Sequence, residues 1–100
     1  MSTDVKREEQ RQVDEEILGF VREMEQMAPV TAESVEKYLV VTRRRKITAM
    51  VVRDRLNYLT SANYLSCDPI WDGKPIDTYT ITAEGMDLLD GNIPPRNWKK

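Results

Sequence analysis

The 100-residue sequence predicts an α+β fold, mostly helical, with three helices, a β-hairpin and a short closing helix. Three observations predict it. Apolar residues recur at three- and four-residue spacing until about Ser61, and the pattern then turns to aromatic and β-branched alternation. Thr31, Thr48 and Thr82 each stand just ahead of a helical segment, where a hydroxyl accepts from free first-turn amides. Between the two alternating runs lies "DGKP", a hairpin turn signal.

The first helix spans 4–27, with Val13, Ile17, Phe20, Val21, Met24 and Met27 forming one apolar stripe. Residues 4–12 lack the stripe and read as a polar extension, and Pro29 closes the element. The second helix starts near Thr31, with Val30 and Val35 placed for a hydrophobic staple and Val35, Tyr38 and Leu39 on the buried side. The third covers Thr48 to Ser61 and aligns Thr48, Val52, Leu56 and Leu59 on one face. Ile47 and Val52 staple its start, and Asn63 suits the left-handed conformation at its end. The hairpin pairs 64–71 with 76–82, placing Tyr79 and Ile81 on one face and Thr78 and Thr80 on the other. In the last helix, "AEGMDLLD", Met86 and Leu89 face inward and Gly91 is the stop. Residues 1–91 thus form one domain, and the proline-bearing tail 92–100 reads as extended, with Ile93 or Trp98 pinned to the body.

Composition narrows the chemistry. There is no histidine, which removes the commonest general base and neutral metal ligand. No Gly-rich phosphate loop, CxxC pair or nucleophile elbow occurs, so the chain is read as a non-enzyme without cofactor or metal. The single cysteine, Cys67, sits between Ser66 and Asp68, which suits a small strand residue better than a low-pKa redox thiol. With no apolar leader or membrane-spanning run, the expected location is the cytoplasm.

Two stretches carry a family resemblance. "VVRDRLNYLTSANYL", from Val51, resembles the third helix and first wing strand of the winged helix-turn-helix superfamily, where an Arg-Leu pair, a later Leu and a terminal Gly-Tyr-Leu are common. "YTITAEGMDLL", from Tyr79, resembles the second wing strand and following helix of bacterial and phage winged-helix regulators. The resemblance covers about residues 30–91, with Asn63 in place of the usual glycine. It implies duplex DNA binding, with the third helix in the major groove and the hairpin wing near phosphates. It also implies dimerisation through the N-terminal helix, which would set half-sites about 34 Å apart.

Charge distribution bears on that expectation. Residues 1–27 hold four basic and eight acidic groups, net −4; residues 28–61 hold seven and three, net +4; residues 62–100 hold four and six, net −2. Positive charge therefore gathers in the second and third helices and the turn between them, despite a total of −2. Arg43, Arg44, Arg45 and Lys46 are candidate phosphate contacts at the entry to the third helix, against the alternatives of a solvated turn or a basic localisation signal. Met50, Arg53 and Asn57 are candidate base-facing residues: Arg suits guanine, Asn adenine and Met a thymine methyl. Arg55, on the flank, is expected to lay its stem over apolar neighbours.

Two features oppose DNA. Asp54 lies on the exposed side, and the hairpin carries Asp68, Asp72 and Asp77 against Lys74, which leaves Lys74 a backbone phosphate contact at most. The alternative function is a protein-interaction module without DNA binding. Ile47, Met50, Val51 and Tyr58 form a second apolar strip, either packed inside or open to a partner. Leu18, off the main stripe, and residues 4–12 offer a further dimer surface.

Overall fold

The computed structural model describes residues 3–91, with side chains from Arg7 onward. Helix α1 (Thr3–Met24) is followed by α2 (Ala32–Lys37), which runs on as a π-helical segment (Tyr38–Thr42), and then by α3 (Ala49–Ser61). Strands β1 (Leu65–Asp68) and β2 (Thr78–Ile81) and helix α4 (Ala83–Leu89) complete it. The architecture is α+β and mostly helical, with a two-stranded antiparallel sheet. The tail 92–100, with Ile93 and Trp98, lies outside the described residues. Among the described residues no helix is long and apolar enough to cross a membrane.

All three threonine caps form. Thr31 accepts from Ser34 N at 3.2 Å, Thr48 from Val51 N at 3.3 Å and Thr82 from Gly85 N at 3.0 Å. At Thr31 the cap is reciprocal, because the Ser34 hydroxyl accepts from Thr31 N at 2.9 Å. Helix α3 buries Val52, Leu56 and Leu59 at 0–1% exposure in one core that also holds Val35, Leu39, Ile17 and Val21. Each such side chain contributes about 1.5–3 kcal/mol relative to exposure. Thr48 itself is exposed, so the cap and not the core fixes its place. Asn63 adopts φ 70, as its left-handed tolerance suggests.

The hairpin is shorter than the alternation predicts. Pairing runs from Leu65↔Ile81 to Asp68↔Thr78 and stops at Pro69. Pro69 and Pro75 have no amide to give the ladder. Pairing resumes only at the tip, where Trp71 and Lys74 exchange two 2.9 Å backbone bonds across Asp72 (φ 54) and Gly73 (φ 75). Two consecutive positive φ angles make this a type I′ turn, the geometry Asp-Gly favours. On its other edge, β2 donates Tyr79 N to Val30 O at 2.9 Å and Ile81 N to Glu25 Oε1 at 2.8 Å. These bonds fasten the hairpin to the segment between α1 and α2.

Three expectations about burial fail. Met27 is 75% exposed, because α1 ends at Met24 and the stripe ends with it. Leu18 is fully buried in the protomer's own core, so it offers no dimer surface. In α4 the inward face is Gly85 and Leu88, with Leu89 half-buried, while Met86 is 39% exposed. The cause is close packing at Gly85, which lies directly on the Tyr64 carbonyl and turns the 85–88 side of the helix inward.

Candidate nucleic-acid interface

The cationic turn joins the π-helical segment to α3 and reverses the chain around Arg44, which sits in the left-handed region at φ 55. That conformation costs a non-glycine residue about 1 kcal/mol or more, so neighbouring contacts must hold it. They do. Arg45 donates from Nε to Glu16 Oε1 at 2.8 Å and from Nη2 to Oε2 at 2.7 Å, and Arg43 Nη2 donates to Oε2 at 3.0 Å. Arg45 N also donates to Leu39 O at 2.9 Å. The Arg45 hydrogen bond first, and then that of Arg43, holds the Glu16 carboxyl below the usual carboxylate range despite partial burial. The contact is therefore present above the ordinary carboxylate pKa and is lost only as acid protonates Glu16.

The four candidate phosphate residues of the turn thus divide. Arg43 and Arg45 grip Glu16 of α1. Arg44 and Lys46 are exposed, and among the described residues neither makes an ion pair. All four line an open groove of about 730 Å³ with Glu9, Val13, Ile47, Val51 and the start of α3.

Along α3 the three base-facing candidates share one exposed face. Met50, Arg53 and Asn57 fall within about 60° of one another at ~100° per residue, and all are exposed. Asp54 shares that face, as expected. Met50 is 72% exposed and Val51 43%, whereas Ile47 and Tyr58 are half-buried, so the second apolar strip is only partly packed. Lys74 is exposed at the hairpin tip beside Asp72, away from the cationic turn in sequence and flanked by acid. The structure therefore brings Arg44 and Lys46 together with Thr48, Val51 and Arg55 at the start of α3, on a different side of that helix from Met50, Arg53 and Asn57 at ~100° per residue. It sets Arg43 and Arg45 against α1.

Sequence reasoning missed the ion pair beneath this surface. Asp14 is fully buried and takes Arg55 Nε at 2.9 Å on Oδ1 and Nη2 at 2.6 Å on Oδ2. The Arg55 guanidinium also lies 4.6 Å from the Tyr58 ring centroid. Its stem is not merely laid over apolar neighbours; its charge fixes α3 to α1. The signal was present, because Asp14 lies three and four residues before Ile17 and Leu18, on the stripe that turns inward.

Cys67 is half-buried in β1, as a small strand residue should be. Burial first, and then Asp77, pushes the Cys67 thiol up, away from thiolate reactivity. Tyr79, 7% exposed, is pushed up to about 12 mainly by burial. Tyr64 and Tyr79 are core residues. Comparison with protein-family models, with curated proteins and with solved structures gives no match.

Proposed function

We propose that the chain is a winged-helix protein that binds duplex DNA, with α3 in the major groove, and acts as a small transcriptional regulator of bacterial or phage type. The observation that carries this reading is the exposure of Arg44 and Lys46 at the approach to α3, a helix that separately exposes Met50, Arg53 and Asn57. Arg44 and Lys46 contact phosphates, aided by the partial positive charge at the start of α3. Met50, Arg53 and Asn57 face base edges. The mechanism is occupancy without chemistry. Asp68, Asp72 and Asp77 keep the wing off the backbone, so the footprint is short and Lys74 adds little. A homodimer paired through the N-terminal helix α1 would present two α3 helices to half-sites about 34 Å apart.

Fluorescence anisotropy with random-sequence duplex DNA tests this. The protein is expected to bind at low salt, with affinity falling steeply as salt rises. Replacing Arg44 and Lys46 together by alanine is expected to flatten the log–log salt slope by about two. Absence of binding at low salt overturns the proposal.

One observation favours a second reading, a protein-interaction module. Met50, Val41 and Val51 are 72%, 63% and 43% exposed, more apolar surface than a base-reading face requires. In that case the alanine pair leaves the binding surface intact and DNA affinity is absent from the start.

A further inference from the structure

We infer that Arg43 and Arg45 form a second phosphate site, held closed by Glu16, and that a DNA backbone phosphate opens it by displacing the Glu16 carboxylate. The inference rests on the DNA-binding reading and adds to it how the site is filled when DNA is absent.

The geometry is that of an anion site with an internal occupant. One carboxylate accepts three hydrogen bonds from two guanidiniums, and Arg45 meets it side-on through Nε and Nη2. That planar fork fits phosphate oxygens as well as carboxylate oxygens. A phosphodiester carries the same single negative charge, so exchange leaves the charge balance at the two guanidiniums unchanged. Glu16 is not sealed in. Its side chain retains 14% exposure and Arg43 retains 46%, and both border an open groove of about 470 Å³ with Tyr38 and Gly19. Arg43 and Arg45 also line the neighbouring groove that holds Arg44 and Lys46, so a duplex seated on those two brings phosphates to the pair.

Glu16 can let go without undocking α1. Ile17, Leu18 and Val21 remain buried, and Asp14 still holds Arg55. The cost of opening is therefore local to the Glu16 contacts, and removing the Glu16 charge should remove it.

The test compares Glu16→Gln with Glu15→Gln by anisotropy on the same duplex at low salt. Both substitutions delete one negative charge from α1, but Glu15 contacts Arg11 and not the turn. Glu16→Gln is expected to bind about tenfold tighter than wild type, the scale of two phosphate contacts over a fourfold change in salt. Glu15→Gln is expected to stay within about twofold, because its charge is exposed and screened. The gain from Glu16→Gln must vanish when Arg43 and Arg45 are both alanine. A Glu16→Gln protein no tighter than Glu15→Gln, or a gain that survives loss of both arginines, overturns the inference while wild-type binding still supports the DNA reading. If neither wild type nor any variant binds, both fall.

Discussion

Arg55→Met is expected to destabilise the protein by about 3–5 kcal/mol. The substitution keeps most of the stem's volume and removes the guanidinium from Asp14, a carboxylate at 0% exposure. Leaving that charge without its bidentate partner costs far more than the net worth of the pair, because the guanidinium no longer offsets the desolvation of the carboxylate. Loss of the Tyr58 contact adds to it. Urea unfolding followed by circular dichroism should show a midpoint lowered by about 2 M at an ordinary slope. The double substitution Asp14→Leu with Arg55→Met should recover most of the loss, since an apolar pair has no charge to desolvate. A loss below about 1 kcal/mol in the single variant would show that this pair does not fix α3 to α1.

Gly85→Ala is expected to cost about 3 kcal/mol, although alanine is the better helix former by about 1 kcal/mol. A Cβ at Gly85 would overlap the Tyr64 carbonyl oxygen and lie 2.7 Å from Ile81 Cγ1. The carbonyl is backbone and already accepts from Thr82 N at 3.1 Å, so it cannot move without opening the junction of β1 and α4. Gly19→Ala is the matched comparison. Nothing lies within 4 Å of its added Cβ, and it sits mid-helix in α1, so it should stabilise by about 1 kcal/mol. Equal effects of the two substitutions, measured by denaturant midpoint, would contradict the close packing of α4.

These two sites also mark what the sequence conceals. Local chemistry is legible: a hydroxyl before an apolar run caps a helix, Asp-Gly makes a type I′ turn, and Asn63 suits a left-handed φ. Properties set by contact between distant segments are not. Gly85 has no side chain to mark a buried face, so hydropathy assigned the inward role to Met86. The spacing of Asp14 before Ile17 and Leu18 puts it on the inward side, but its partner Arg55, 41 residues on, follows only from the packing of α3 on α1. Nor does anything in "YLVVT" announce the π-helical segment that leaves Val40 and Val41 42% and 63% exposed.

At the candidate interface the same division applies. Run and spacing point to Arg43 through Lys46 and to Met50, Arg53 and Asn57, and the exposed α3 face appears where periodicity puts it. The split of the cationic run does not follow from spacing, because it depends on where Glu16 of α1 arrives. Alternation in sequence gives Arg44 and Lys46 to solvent and Arg43 and Arg45 to Glu16 only once α1 is packed across the turn.

The most direct measurement of the central claim is amide NMR of the labelled protein titrated with a short random-sequence duplex. The account predicts that shifts concentrate from Arg44 to Asn57, while the hairpin tip from Trp71 to Ile76 stays unmoved. Largest shifts at the acidic hairpin, or no shift along Arg44 to Asn57 at low salt, would contradict it.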